Sequence, residues 1–249
     1  MRVSFDSNVW EKVFYSDAKE CVEVRNALAD QRIEGFICEA AFRIEAVRKI
    51  DRIGYFAHPK MDVTFPLSTV HMKGKAHVHF MSIGPSDKQH PGLPSVQADR
   101  LQLATSNGFL VMRGLAWMGL PWPREISDSA IFVQETENSR AEREQLQVAV
   151  NVEIWKRGVG KQAFDAAGGW QAIEQGMLHQ KKFSKAYAEW ADGELAAAHV
   201  GYRNDILCTD DRAGGTPISV FNELNRSWLT TEYGVRFVKL KQLAEVLDT

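Results

Sequence analysis

Cysteine is scarce in this sequence. Cys21, Cys38 and Cys208 are odd in number, far apart and free of any Cys-x-x-Cys spacing, which argues against a disulfide framework and against a zinc knuckle and leaves three buried thiols as the expectation. Proline is scarce as well, at eight residues, and no Gly-, Ser- or Pro-rich linker divides the chain into two equal domains. No apolar run approaches the length that spans a bilayer. The first apolar letters, from Val3, are cut off by Asp6, so neither the charged nor the apolar region of a signal peptide is legible and a cytoplasmic protein is expected. Charge of one sign is also lacking. With 30 basic and 32 acidic residues the formal net charge is -2, so any contact with nucleic acid must come from a local basic patch or a bound cation. There is no internal repeat and no low-complexity tract.

What is present is the ordinary balance of a folded protein: 249 residues, 45% hydrophobic and 25% charged, enough to bury a sizeable core. Arg2 to Phe5 reads as a short buried strand, followed by helical pattern through Ala29, a strand at Gly35 to Cys38 and a helix from Ala40 to about Ile53. Toward the other end, Ala186 to His199 is alanine-rich and helical, Asp205 to Cys208 a strand, Phe221 to Leu229 helical, Val235 to Val238 a strand and Leu240 to Leu247 an amphipathic helix. Strands alternating with helices predict an α/β fold of three layers, a central mostly parallel sheet of four or five strands flanked by helices. The middle differs. Val63 to Ile83 reads as two strands around Met72 to Lys75, Gly84 to Pro94 as loop, and Arg140 to Trp155 and Lys161 to Met177 as helices broken at Gly158 and Gly160. A single domain is therefore expected, with core segments 1–54 and 178–249 and an inserted hairpin and helical segment over 55–177.

In an open α/β sheet, ligands bind beyond the carboxyl ends of the strands. Asp6 directly follows the first strand, and Asp211 closes the run Thr209-Asp210-Asp211 after the Cys208 strand. Glu45 on the helix after the second strand and Asp192 on the helix before the Cys208 strand can reach the same edge. Hard divalent cations such as Mg2+ and Mn2+ prefer oxygen ligands, and gathered carboxylates that would otherwise repel one another are what such ions need. Bound there, they activate water and stabilise the leaving oxygen of a phosphodiester.

These residues resemble the PIN-domain nucleases. Asp6-Ser7-Asn8 looks like the strand end that opens that family. The stretch Ile37 to Glu45 looks like its second motif, with Glu45 as the acid. Asp192 to His199 is similar to its third, and Ile206 to Asp211, with Thr-x-Asp, to its fourth. Tyr233 to Val238 looks like its last strand. The resemblance implies a metal-dependent endoribonuclease in which Asp6, Glu45, Asp192 and Asp211 hold Mg2+ or Mn2+, supported by Asn8 and Thr209. It also brings in the toxin of a toxin–antitoxin pair, leaving RNA, a protein antitoxin and a homo-oligomer open as partners and no membrane.

Simpler roles compete at several positions. Asp6 can cap the following helix, and Asn8 can either orient Asp6 or merely begin that helix. Glu39 competes with Glu45 for the second acid. Glu194 competes with Asp192, though the two point roughly 200° apart on a helix. Asp210 competes with Asp211, otherwise serving the turn. His77 and His79 share a strand face and fit exposed strand positions better than a metal site. Lys181, Lys182 and Lys185 with Arg48, Lys49 and Arg52 read equally as a phosphate track or as solvated helix faces. Gly158-Val159-Gly160-Lys161 lacks the first glycine and the final Ser or Thr of a phosphate loop and is rejected. A PIN-like module that binds RNA or protein without cutting it is the alternative function. A haloacid-dehalogenase-like phosphatase would need Asp where Asn8 stands.

Overall fold

The computed structural model describes residues 1–45, 47, 61–64, 70–71, 77–78, 82–85, 92–115, 123, 131–175, 180–212 and 219–248. Its centre is a five-stranded, all-parallel sheet made of β1 (Arg2–Phe5), β2 (Glu34–Cys38), β7 (Leu110–Met112), β8 (Ile206–Cys208) and β9 (Phe237–Val238), in the order β7-β2-β1-β8-β9. Strand period sorts the side chains into two cores. Phe36, Cys38, Met112 and Leu207 face one side, and Val3, Phe5, Ile37, Val111, Ile206 and Cys208 face the other. Each side is covered by helices, so the strands are apolar on both faces, as an all-parallel sheet requires.

The first face packs against α4 (Glu137–Lys156), α5 (Lys161–Ala166), α7 (Gln180–Gly201) and α8 (Glu223–Tyr233) through residues that include Val150, Phe164, Trp190 and Leu229. The second face packs against α1 (Ser7–Val13), α2 (Lys19–Ala29), α3 (Ser95–Ser106) and α9 (Leu240–Leu247) through Trp10, Val24, Leu101 and Leu243. The α/β, three-layer architecture expected from the alternation is the observed one. All three cysteines are free and buried. Among the described residues, no helix is long and apolar enough to cross a membrane.

Local differences from the sequence expectation have physical causes. The helical pattern through Ala29 is two helices, because α1 ends at Phe14 and α2 restarts after Ala18, whose N–H is taken by the Ser16 hydroxyl at 3.2 Å. The helix expected from Lys161 to Met177 breaks into α5 and α6 (Gly169–Glu174), with Gly168 and Gly169 at φ of 109° and 52°, a backbone that favours glycine. After β2 the chain makes a π-helical turn over Ala41–Glu45. Residue 46 and the remainder of that expected helix, 48–53, lie outside the described residues. Within 55–177, β3 (Met61–Thr64) pairs antiparallel with β6 (Ser82–Pro85), and β4 (Val70–His71) with β5 (His77–Val78). The same stretch also supplies α3, α4 and the sheet strand β7, which lies parallel to β2. It is therefore woven into the core and not only set upon it. A close approach fixes α7. A Cβ on Gly160, which sits at φ +63°, would meet the Ile154 side chain at 2.8 Å, and a Cβ on Gly193 would meet the Gly160 Cα at 3.3 Å.

Candidate active site

Strand order changes direction at β1. The chain moves from β1 to β2 on one side and later returns to place β8 on the other, so the crevice beyond the carboxyl ends of β1 and β8 is the switch point of the sheet. Asp6 and Thr209 are the first residues past these two paired strands, and the Asp6 N–H still donates to the Cys208 carbonyl at 3.0 Å. The sheet thus delivers two polar side chains next to each other from positions 203 residues apart in sequence.

The Asp6 carboxylate is 3% exposed. It caps α1, accepting from the Ser7 backbone N–H at 2.6 Å, and its other oxygen accepts from the Thr209 hydroxyl at 2.6 Å and the Asn8 amide at 2.8 Å. Asp6 therefore caps α1 while standing at the switch point of the sheet. The Asn8 side chain donates through the same nitrogen to Asp211 at 3.0 Å, while its oxygen accepts from the Asp210 N–H at 3.1 Å. One amide bridges the two strand-end acids. Burial pushes the Asp6 carboxyl up to about 6; the Thr209 hydrogen bond opposes this and the nearby Asp211 charge adds to it.

Helix α7 divides the remaining acids. Asp192 lines a narrow cleft with Asp6, Ser7 and Ala41. Its volume is about 10 Å3, close to one water-sized sphere. Glu194 lies elsewhere, facing Glu39 across Gly114 and Leu115. The roughly half-turn offset of positions i and i+2 on a helix separates them. Asp210 also turns away from the cleft, pairing with Lys12 and accepting from the Leu240 N–H at 3.1 Å at the start of α9. Glu45 stands at the end of the π-helical turn, with its side chain outside the described residues. Arg48, Lys49, Arg52 and His79 lie outside them too, as do the side chains of His71, His77 and Lys181. Lys182 is exposed, and Lys185 acts on Glu189.

One participant escaped the motif reading. Arg226 on α8 is half-buried; its Nε donates to the Phe221 carbonyl at 2.7 Å and one Nη to the Asp211 carbonyl at 2.9 Å. Burial lowers its pKa, and Asp211, Asp6 and Asp192 each act to raise it, so one guanidinium senses all three acids. It follows Asp211 by 15 residues, beyond the reach of any local spacing rule.

The donor set suits a hard divalent cation, since the side chains around the cleft are carboxylates with surplus negative charge and a pushed-up Asp6. Among the described residues no group of three or more His, Cys, Asp or Glu side chains is gathered tightly enough to hold a metal ion, and the Asn8 amide stands between Asp6 and Asp211. A larger groove of about 510 Å3 runs along α4 beside Val148, Val152 and Trp155. It is apolar and holds none of the strand-end acids. The buried contact of His199 Nδ1 with the Ser4 hydroxyl at 2.9 Å is not a nucleophile pair: both residues are sealed in the core, and burial pushes the imidazole down to about 3. No family model matches the chain, and no curated protein or solved structure matches it.

Proposed function

We propose that this protein is a metal-dependent endoribonuclease that hydrolyses RNA phosphodiester bonds at the carboxyl edge of β1 and β8. The observation that carries the proposal is the pairing of Asp6 and Asp211 through the Asn8 amide at the switch point of a parallel sheet, with Asp192 on the same cleft. Mg2+ or Mn2+, when bound, would supply the positive charge that activates water and stabilises the leaving oxygen. Asp6, Asp192 and Asp211 would hold it, with Glu45 as the fourth ligand that the PIN-like motifs imply. Thr209 and Asn8 orient one Asp6 oxygen and the Ser7 N–H the other. Arg226 places a positive charge beside the acids, where a phosphate can be drawn in and oriented. RNA over DNA, a cytoplasmic setting and a role as toxin with a protein antitoxin rest on the motif resemblance.

The test is cleavage of single-stranded RNA and DNA with Mg2+, Mn2+ or EDTA. Cleavage of RNA that needs the metal and is lost in Asp6→Asn is the expected result. A second reading, a PIN-like module that binds RNA or protein without cutting, draws on Asn8 standing between the two acids. RNA binding with no cleavage under any metal would select it.

A further inference from the structure

Beside the acid edge a groove of about 260 Å3 runs along α1, with Ser7, Asn8, Glu11, Lys12, Tyr15 and Arg100 on its walls. Asn8, which bridges Asp6 and Asp211, forms one end. At the other end Phe14 turns inward to pack edge-on against Phe109 at 5.6 Å, and its neighbour Tyr15 turns outward with 52% of its surface exposed. Here the Arg100 guanidinium from α3 stands 5.2 Å from the ring centroid, held by Glu11 at 2.5 Å, which also accepts from Gln97 at 2.9 Å. Flat aromatic face, guanidinium and path to the acids are the parts from which single-stranded nucleic-acid sites are built, because every base has a face to stack and every phosphate needs a cation.

We infer that this groove is a nucleotide subsite for single-stranded nucleic acid, in which a base next to the scissile bond stacks on Tyr15 and its phosphate takes Arg100. The inference rests on the nuclease reading of the Asp6 edge and adds where the strand runs. The volume lies near the lower end of small-ligand pockets, which begin at roughly 300 Å3, so the groove suits one nucleotide and not a large ligand. The Arg100–Glu11 pair is partly exposed on both sides. With 29% of the Arg100 and 25% of the Glu11 side chain exposed, the guanidinium stays within reach of an entering phosphate.

Binding of a fluorescent mixed-sequence oligonucleotide, RNA in one arm and DNA in the other, is measured by anisotropy with the non-cleaving Asp6→Asn full chain in EDTA. Tyr15→Ala is expected to weaken binding by about five- to hundredfold, the range for losing one stacked base. Tyr15→Phe should stay close to the parent, and so should Trp155→Ala, an exposed aromatic in the separate α4 groove. Arg100→Ala should lower the slope of log affinity against log salt by about one, a readout that holds whether or not Tyr15→Ala folds well. Binding by Tyr15→Ala equal to that of Trp155→Ala, or an unchanged salt slope in Arg100→Ala, would overturn the subsite while metal-dependent cleavage by wild type kept the nuclease reading. A wild-type chain that neither cuts nor binds RNA or DNA would overturn both.

Discussion

Two carboxylate clusters flank helix α7, and they are built differently. On the β1–β8 edge, Asp6 and Asp211 are held mainly by side chains, the Thr209 hydroxyl and the Asn8 amide, with the Ser7 N–H as a backbone donor to Asp6, in a cleft beside the α1 groove. On the β2–β7 edge, Glu39 and Glu194 are held mainly by backbone, accepting from the Gly114 N–H at 2.7 Å and the Leu115 N–H at 3.1 Å, and both are as deeply buried as Asp6. Side-chain donors can release an acid to a ligand without disturbing the chain. Backbone donors tie the acid to the loop after β7, so its first task is to hold that loop. Under the nuclease proposal, an acid at a strand end is therefore not by itself a metal ligand, and what donates to it decides.

The largest expected effect comes from breaking the contrast chemically. Under the nuclease proposal, Asp6→Asn should lose RNA cleavage by at least roughly a hundredfold, the scale on which removal of a transition-state interaction acts. Glu39→Gln should leave single-turnover cleavage within a small factor of wild type, and Glu45→Gln should reduce it at least about tenfold more than Glu39→Gln does. If Glu39→Gln is the more damaging of the two, the backbone-held cluster has a part in the chemistry and the contrast fails.

The second effect is on stability against pH. Burial pushes Glu39 and Glu194 each up to about 7 from 4.5; Arg43 opposes this at Glu39, and at Glu194 the Glu39 charge adds to it. At 3.4 Å the Arg43 contact is long, and the second Glu39 oxygen is buried without a hydrogen-bond partner, so burial prevails. A raised folded-state pKa means that the native chain binds protons more tightly than the unfolded one. The stabilisation is thus full below about 4.5 and is lost as pH rises through about 7. Thermal unfolding of the metal-free protein should fall from pH 5 to 8, by an amount of order a few kcal/mol, since one unit corresponds to about 1.4 kcal/mol. Glu39→Gln should match wild type at pH 5, where Glu39 is protonated, and exceed it at pH 8. Parallel curves for the two proteins would show that Glu39 is ionised throughout.

Backbone capture can also be tested sterically. A Cβ on Gly114 would meet a Glu194 oxygen at 3.0 Å and a Glu39 oxygen at 3.4 Å, so in Gly114→Ala the Glu194 carboxylate must give by a few tenths of an ångström against its N–H donor while Glu39 comes into close contact. A loss of about 1–2 kcal/mol in denaturant unfolding is expected. Cleavage per folded molecule should hold, because Asp6 keeps its own donors on the other side of α7. A fully stable variant would mean that the acids give way freely and do not clamp the loop.

Much of this arrangement was legible in the letters. Buried runs such as Val3-Ser4-Phe5 and Ile206-Leu207-Cys208 announce parallel strands, and helical spacing alone separates Asp192 from Glu194. Other parts depend on partners far away. The three residues of β7 are too few to show a period, so a stretch that reads as inserted supplies an edge of the sheet. Glu39 resembles any acid after a strand until Gly114, 75 residues on, offers its N–H. Asp210 and Asp211 are neighbours that only Lys12, Leu240 and Asn8 tell apart. Arg226 carries no local signal, because the fold alone brings it to the acids.

The smallest effect concerns the open cluster without metal. Asp211 adds to the upward push on the Asp6 carboxyl, and the shared Asn8 amide offsets only part of that repulsion. Asp211→Asn removes the charge but keeps an oxygen where Asn8 donates, and it leaves the Asp211 N–H bond to Thr209 at 3.1 Å undisturbed. The metal-free variant should therefore melt higher than wild type at neutral pH. Asp211 is partly exposed, so solvent screening limits the gain to about 1 kcal/mol or less, roughly 2–4 °C for a chain of this size. Manganese should reverse the order. At about 100 times its dissociation constant a ligand that binds only the folded state adds about 2.7 kcal/mol, and the variant, with one carboxylate fewer to offer, should gain much less at the same concentration. Thermal scans with titrated Mn2+ measure both halves. Identical responses near saturation would remove Asp211 from the metal ligands, and with it the contrast between an edge that releases its acids and an edge that keeps them.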